Sequence, residues 1–243
     1  MANSYFQFKQ FTIHQDRCAM KVTTDACLFG AWVAREVESE KLKVESVLDI
    51  GTGTGLLTLM VIQKNPEMKI SAIEIDKHAA EQAKINVESS SWKEQINIVQ
   101  DNVKEFSFEK EFDLIISNPP FYENEIRSAT DSKNVAHHSQ SLTLKELLAI
   151  IKENLSLSGS FFLLLPYKRK DEIKKLFNDD QVHISKMILV RQSVKHDYFR
   201  ILIKGNLNAE EKEIEFDELS IWDDKQQYTN EFVRLLKDYY LHL

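Results

Sequence analysis

The feature that most constrains the fold of this chain is an apolar run, residues 46–50, followed directly by three alternate glycines, Gly51, Gly53 and Gly55. The run is short and β-branched, which predicts a buried strand, and residues 56–64 predict a helix after it. Alternate glycines let the backbone turn sharply and approach a ligand, and the start of a helix offers free N–H donors. The spacing differs from the Gly-x-Gly-x-x-Gly pattern that holds a pyrophosphate. The stretch therefore predicts a ligand-binding loop and disfavours a nicotinamide cofactor.

Two further predicted strands end in acidic residues. Residues 69–75 form an apolar run that carries Glu74, which lies 23 residues after Gly51. A carboxylate at the tip of the neighbouring strand can accept hydrogen bonds from both hydroxyls of a ribose. The third predicted strand ends at Asp101 and Asn102, whose side chains can hydrogen-bond an adenine edge. The plainer alternatives are a solvated carboxylate at Glu74 and a turn residue at Asp101.

The fourth predicted strand, residues 112–116, is followed after one serine by Asn118, Pro119, Pro120 and Phe121. The prolines have no N–H, so the loop presents carbonyl oxygens without competing donors, and Asn118 adds a side-chain acceptor. Two acceptors can hold the N–H groups of an exocyclic amine, whose lone pair is otherwise delocalised, while the ring stacks on Phe121. The loop therefore predicts a site for an amino group on a base or an amide. An ordinary turn after a strand is the alternative.

These segments follow one another in a defined order: a strand with a glycine loop, a strand with an acidic tip, a strand with an acidic end, and a strand with Asn-Pro-Pro-Phe. In this order they resemble class I S-adenosylmethionine-dependent methyltransferases. Residues 49–55 match the cofactor loop, and residues 118–121 match the group that methylates exocyclic nitrogens. The resemblance implies an α/β, Rossmann-like fold with a seven-stranded mixed sheet in the order 3-2-1-4-5-7-6, in which strand 7 is antiparallel. The closing strands are expected at residues 182–190 and 199–204.

The beginning of the chain predicts a small hairpin and a helix. Residues 6–13 alternate in polarity as a strand does, and residues 18–22 can pair back with them. A helix is predicted at residues 26–36, with Thr24 or Asp25 as its N-cap. At the other end of the chain, the tail from residue 228 to residue 243 predicts a last amphipathic helix.

The same beginning narrows the resemblance. Residues 8–13, 16–22, 24–26 and 30–32 resemble the start of the bacterial methyltransferases that modify N6 of the adenine just 3′ of the anticodon, position 37, in valine tRNA. In that family the segment at residues 21–25 lies over the cofactor, which implies that Thr24 or Asp25 lies near its methionine end. We therefore expect residues 1–45 to form an extension that packs on the cofactor site and residues 46–243 to form the methyltransferase domain.

The resemblance implies methyl transfer from S-adenosylmethionine to an adenine N6 in tRNA. Two alternatives stay open: a guanine-N2 methyltransferase of ribosomal RNA, which the same acceptors can serve, and a non-catalytic sensor that binds S-adenosylmethionine. A sensor has no use for an amine-binding loop, which counts against it. With 243 residues, the chain leaves no room for the separate recognition domain of amino-methylating DNA enzymes.

Charge is unevenly distributed along the chain. The net charge is −7, yet residues 166–204 carry +5 and residues 205–224 carry −7. One region can face phosphates while the other repels them, or both are solvated faces. No run approaches the roughly 18 apolar residues of a membrane span, and Cys18 and Cys27 have neither zinc nor disulfide spacing. We expect a cytoplasmic protein with no metal and no membrane contact, with tRNA as its partner and no obligatory protein partner.

The candidate site residues fall into three groups. The predicted catalytic residues are Asn118, Pro119, Pro120 and Phe121. The predicted cofactor-binding residues are Lys21, Thr24, Asp25, Asp49, Gly51, Gly53, Gly55, Glu74, Asp101, Asn102 and Asn118. The predicted substrate-binding residues are Phe121, Tyr122, Lys168, Arg169, Lys195 and Arg200.

Overall fold

The strands of the protein form one large sheet and one small hairpin. The structure is a computed structural model that describes residues 3–18, 20–39, 43–119, 142–179, 182–208 and 213–243. Within these residues the hairpin strands are β1 (Tyr5–Gln7) and β2 (Thr12–His14). The strands of the large sheet are β3 (Ser46–Ile50), β4 (Lys69–Glu74), β5 (Ile96–Gln100), β6 (Phe112–Ser117), β7 (Leu155–Pro166), β8 (His183–Ser193), β9 (Tyr198–Asn206) and β10 (Glu215–Trp222).

The large sheet has the order β10-β8-β9-β7-β6-β3-β4-β5. Strand β9 is antiparallel to both β7 and β8, and the other described neighbours in this sheet are parallel. Counted from β3 as the first strand, this is the order 3-2-1-4-5-7-6 with one strand added at the edge. The predicted fold class is confirmed.

The predicted number of seven strands is wrong by one, because β10 extends the sheet at its edge beside β8. In β10 only Leu219 and Ile221 are buried, and its first half is exposed and acidic. Charged side chains on an edge strand discourage pairing with other chains. The same charges hide the apolar alternation that identifies a strand in a sequence.

Helices cover both faces of the large sheet. They are α1 (Thr24–Ser39), α2 (Leu56–Lys64), α3 (Lys77–Glu88), α4 (Leu144–Asn154), α5 (Lys170–Asp179) and α6 (Asn230–Leu236). Residues of α1, α2 and α6 share one buried cluster with the sheet, and residues of α4 and α5 share the other. Helix α2 is buried from Leu56 to Ile62, which is typical of a helix covered on all sides. None of the described helices is long and apolar enough to span a bilayer.

The hairpin near the start of the chain differs from the prediction. Strands β1 and β2 both lie within or beside the segment predicted as one strand, and no strand forms among the described residues of 18–22. The turn between them is closed by the Phe8 N–H, which donates to the Phe11 carbonyl at 2.8 Å. The two phenylalanine rings are buried and stack at 4.6 Å, so burying them favours a turn over a continuous strand. Helix α1 is preceded by Thr23, whose hydroxyl accepts from the Ala26 N–H at 3.4 Å, so the N-cap predicted at Thr24 or Asp25 is wrong by one or two residues.

The last helix, α6, has seven residues and ends at Leu236, well before the predicted end of the tail. After it the chain turns so that the buried Tyr239 hydroxyl donates to the Met60 carbonyl at 2.9 Å. The Tyr239 carbonyl in turn accepts from the Lys9 N–H at 2.8 Å. These contacts to α2 and to the hairpin turn are incompatible with a straight helix through the tail.

The parallel strands of the large sheet all end at one edge, called here the carboxyl edge. The segments that follow β3, β4, β5 and β6 therefore leave the sheet side by side. Strand β9 is antiparallel and begins at this edge. Open α/β sheets bind ligands at this edge, in the crevice where the strand order reverses.

Candidate active site

Asp49 is the buried centre of the glycine loop. It lies in β3 with no exposed surface, and its Oδ2 accepts from the hydroxyls of Thr52 and Thr58, each at 2.7 Å. Its Oδ1 has no hydrogen-bond partner within the described part of the chain. Burial raises the pKa of Asp49 to about 6. A buried carboxylate with one unpartnered oxygen is a good acceptor for a cationic amine.

The glycine loop needs its glycines for conformation. Gly51, Gly53 and Gly55 have φ angles of +71°, +57° and +80°, in the left-handed region that L side chains rarely adopt. A Cβ atom at Gly51 or Gly53 would meet nothing within 4 Å, so the space beside these two residues is open. The loop therefore exposes its backbone towards the carboxyl edge, as a site for a close-fitting ligand requires.

Glu74 is fixed over this loop at the end of β4. Its side chain is mostly buried, its Oε2 accepts from the Gly53 N–H at 2.8 Å, and its Oε1 accepts from the Asp76 N–H at 2.9 Å. Burial raises the pKa of Glu74. Each carboxylate oxygen keeps one further lone pair, so the group can still accept from a diol. The residues present thus fit a ligand that carries both a cationic amine and a ribose.

Asp101 and Asn102 stabilise the turn after β5. The Asp101 N–H donates to the Glu74 carbonyl at 3.1 Å, which keeps the turn beside β4. The Asp101 Oδ1 accepts from the Asn102 N–H at 2.7 Å. The Asn102 side chain accepts from the Lys104 N–H at 3.1 Å and donates to Glu105 at 2.9 Å. These are the contacts of turn residues, and binding of an adenine edge by this pair stays a prediction.

Asn118 and Pro119 follow β6 directly beside the glycine loop. Ser117 pairs with Ile50 in the sheet, and its buried hydroxyl donates to the Ile50 carbonyl at 2.8 Å. The next residues on the two strands, Asn118 and Gly51, therefore leave the sheet as neighbours. Asn118 is half-buried and Pro119 is buried. The predicted site residues Pro120, Phe121 and Tyr122 lie outside the described residues.

The segment before α1 is close to Glu74. Burial, followed by the negative charge of Glu74, raises the pKa of the Cys18 thiol to about 11. The Lys21 ammonium donates to the carbonyl oxygens of Gln15 and Cys18, so this lysine is held within its own loop. Thr24 is exposed. The predicted cofactor contacts of Lys21 and Thr24 stay predictions.

The basic residues predicted to contact a substrate lie at the carboxyl edge. Arg200, near the start of β9, forms an ion pair with Asp25 at 2.7 Å. Arg169 forms a two-point ion pair with Glu172. The Lys195 ammonium donates to the Asp224 carbonyl at 3.4 Å. Lys168 lies in the turn that follows β7. The Asp25 carboxylate is thus engaged by a cation of the chain itself.

Two buried amides on α3, which the sequence prediction missed, connect the hairpin to the site. Asn86 accepts from the His14 N–H at 2.9 Å and donates to the carbonyls of His14 and Thr54, each at 2.9 Å. Gln82, one turn earlier, accepts from the Arg17 N–H at 3.3 Å. Both amides are about 1 % exposed. Their spacing of four residues places two amides on one helix face, which is the signal a sequence reader could use.

The chain is similar to known methyltransferases in sequence and in fold. Residues 33–177 match the family model of the methyltransferase small domain. A tRNA1(Val) (adenine(37)-N6)-methyltransferase of Bacteroides thetaiotaomicron is 37% identical over 246 residues, which covers 100% of both chains. A predicted O-methyltransferase of Agrobacterium tumefaciens has a TM-score of 0.68 at 14% identity and covers 88% of this chain and 96% of its own.

A solved structure of the glycopeptide N-methyltransferase MtfA complexed with S-adenosyl-L-methionine has a TM-score of 0.53 at 13% identity, covering 74% of this chain and 94% of its own. At such low identity the two solved structures support the fold alone. The match to the family model and the full-length relative show the family of this chain. Both agree with the resemblance seen in the sequence. The chain belongs to the family of tRNA1(Val) (adenine(37)-N6)-methyltransferases.

Proposed function

We propose that this chain transfers a methyl group from S-adenosylmethionine to the exocyclic N6 of adenine 37 in tRNA1(Val). The observation that supports the reaction is the Ser117–Ile50 hydrogen bond of 2.8 Å, which keeps Asn118 beside the start of the glycine loop. The full-length relative supports the substrate. The relatives favour neither of the two alternatives, a guanine-N2 methyltransferase and a sensor.

S-adenosylmethionine is the cofactor of this reaction, and when bound it supplies a methyl group activated by its sulfonium. The unpartnered Oδ1 of Asp49 would accept from the cofactor's amine, and Glu74 would accept from the ribose hydroxyls. The open space beside Gly51 and Gly53 allows the backbone to approach closely. The remaining predicted contacts are those of Lys21, Thr24, Asp25, Gly55, Asp101, Asn102 and Asn118.

The protein's part in the chemistry is to orient a weak nucleophile. The adenine amine has a lone pair delocalised into its ring, so its attack depends on alignment. The side-chain carbonyl of Asn118 and the backbone carbonyl of Pro119 would accept the two N–H groups and direct the lone pair. Pro119 has no N–H, so no donor competes at that position. Phe121 would stack the base, and Pro120 and Tyr122 would complete the pocket.

Substrate binding needs a surface beyond the pocket. Lys168, Arg169, Lys195 and Arg200 lie at the same carboxyl edge as Asn118 and would contact tRNA phosphates. Residues 1–45 would form the extension over the cofactor site and residues 46–243 the methyltransferase domain; the Asn86 hydrogen bonds to His14 and Thr54 support this packing. The protein would act in the cytoplasm, where its tRNA substrate is found, and would need no protein partner.

The proposal is tested by incubating the protein with labelled S-adenosylmethionine and total tRNA from a strain that lacks the enzyme. Nucleoside analysis is expected to find the label in N6-methyladenosine. Label in N2-methylguanosine would keep the reaction class and contradict the substrate atom. Cofactor binding without label in any RNA would favour the sensor.

A further inference from the structure

Two tyrosines meet at the carboxyl edge of the sheet, where β7 ends and β9 begins. Tyr167 directly follows β7, and Tyr198 is the first residue of β9. Their ring centroids are 5.3 Å apart with an angle of 51° between the ring planes. Both side chains are only partly buried. These two residues are called the tyrosine pair below.

A cation lies over one face of each ring of the tyrosine pair. The Arg191 guanidinium is 5.5 Å from the centroid of Tyr198, and the Lys170 ammonium is 5.6 Å from the centroid of Tyr167. Arg191 pairs with Tyr198 across the sheet, and its Nε donates to the Ser220 hydroxyl at 2.7 Å. The rings are therefore contacted by neighbours on α5 and β8 while part of their surface stays in solvent.

An acidic neighbour holds the guanidinium that lies over Tyr198. The Glu218 carboxylate, on the edge strand β10, forms an ion pair with Arg191 at 3.5 Å, and Arg191 in turn contacts the Tyr198 ring. The arrangement costs a ligand little conformational entropy, because the side chains are ordered before it binds.

Along the strand direction, the tyrosine pair lies further out from the carboxyl edge than Asn118, where the amine would be held. Strands β6 and β7 are parallel neighbours, and Ser117 pairs with Leu163. Strand β7 continues for three more residues, to Pro166, before Tyr167. Tyr167 is four residues beyond Leu163, so at about 3.3 Å per residue it lies roughly 13 Å further out than Ser117. Nucleotides that flank a base held at Asn118 would pass this position.

We propose that the tyrosine pair is a stacking platform for an unpaired base that flanks the methylated adenine in the tRNA. This inference rests on the proposed function and names the surface that positions its substrate. Aromatic rings with adjacent cations are the combination that binds single-stranded nucleic acid, because every base has a face to stack and a phosphate to neutralise. The region at residues 166–204 carries +5 in a chain of net charge −7. This local positive charge favours contact with the phosphates of a nucleic acid.

The test replaces each tyrosine by leucine and measures methylation of tRNA1(Val). Loss of one stacked base should raise the KM for tRNA by about 5- to 100-fold while the Kd for S-adenosylmethionine is unchanged. Tyr198→Phe keeps the ring and should keep a KM close to that of the wild type. Tyr167→Trp and Tyr198→Trp should also keep it, which guards against misreading a folding defect in the leucine variants.

The matched control is Phe216→Leu. Phe216 is 56% exposed and has the Lys174 ammonium 5.9 Å from its ring centroid, so it resembles Tyr167 chemically. It lies near the start of β10, six residues before the end of that strand at Trp222. At about 3.3 Å per residue it is roughly 20 Å from the carboxyl edge, and its replacement should leave the KM unchanged.

A second readout follows stacking directly. An anticodon stem-loop RNA carries 2-aminopurine in place of a nucleotide that flanks the target adenine, and its fluorescence is expected to change on binding to the wild type but not to the tyrosine-to-leucine variants. If the wild type methylates tRNA while both leucine variants keep its KM and its fluorescence change, the platform is wrong and the proposed function stands. If the wild type methylates no tRNA, the proposed function fails first.

Discussion

Replacing Asn86 by alanine should weaken both the fold and the binding of S-adenosylmethionine. The buried amide makes three hydrogen bonds of 2.9 Å, one from the His14 N–H and one each to the carbonyls of His14 and Thr54. Through them a single side chain on α3 joins the hairpin to the glycine loop. Its removal leaves three backbone groups of two segments without their partner.

The magnitude follows from the number of bonds. A hydrogen bond of this kind contributes about 1 kcal/mol net, so three bonds amount to about 3 kcal/mol. For a chain of this size, each kcal/mol lowers Tm by about 2–4 °C, which predicts a decrease of roughly 6–12 °C. Because Thr54 lies between Gly53 and Gly55, its release should also disturb the loop, and we expect the Kd for S-adenosylmethionine to rise about tenfold.

Thermal unfolding and calorimetric titration with S-adenosylmethionine measure the two effects. Gln82→Ala is the matched control, since this amide is equally buried on the same helix but makes one described bond, to the Arg17 N–H at 3.3 Å. It should lower Tm by only about 2–4 °C and leave the Kd unchanged. If Asn86→Ala lowered Tm no more than Gln82→Ala and bound the cofactor normally, the proposed link between hairpin and loop would be refuted.

Four other changes test the site. Asn118→Ala should remove most turnover with the Kd for S-adenosylmethionine nearly intact; surviving activity would contradict the amine-holding model. Burial raises the pKa of Asp49 to about 6, so the folded protein holds this proton more tightly than the unfolded chain. The free energy of unfolding therefore decreases as pH rises from about 4 to 6, because over this range the unfolded chain loses the Asp49 proton before the folded protein does. Binding of a cationic amine needs the carboxylate, so calorimetry should find affinity falling up to tenfold per pH unit below 6, with Asp49→Asn weak and flat over the same range. Gly53→Ala should cost about 1–2 kcal/mol in thermal unfolding, because its φ of +57° is unfavourable for alanine while no atom lies within 4 Å of the added Cβ. An unchanged Tm would mean that the loop relaxes. Charge reversal at Lys168 and Arg169 should weaken the binding of every tRNA, whatever its sequence, and reduce the dependence of its affinity on salt concentration. If that dependence is unchanged, the phosphate contacts lie elsewhere.

The central strands could be predicted because their sequences are mostly apolar. Strand β3 is buried along its whole length and β6 along most of it, so these parallel strands appear in the sequence as short β-branched runs. Strand β10 could not be found in the same way, since its acidic first half is exposed at the sheet edge. The early end of α6 depends on the Tyr239 contact to Met60, which joins residues 179 positions apart. Contacts of that range have no local signal.

The residues of the candidate site differ in the same way: some have a local signal in the sequence and others do not. Asp49, Glu74 and Asn118 could be predicted because each lies at or next to the end of an apolar run that forms a strand, and the topology brings those ends together. Asn86 was missed because its partners, His14 and Thr54, become neighbours only after the hairpin has packed on α3. Asp25 was predicted as a cofactor residue on resemblance, and its ion pair with Arg200 depends on a strand far along the chain.

The most direct test of the central claim uses purified tRNA1(Val) transcripts under single-turnover conditions. One transcript carries the natural adenine at position 37 and the other carries guanine there, and the methylated nucleotide is mapped after reaction with labelled S-adenosylmethionine. We predict one methyl group on N6 of adenine 37 in the first transcript and none in the second. Equal methylation of both transcripts, or label on any atom other than an adenine N6, would contradict the account.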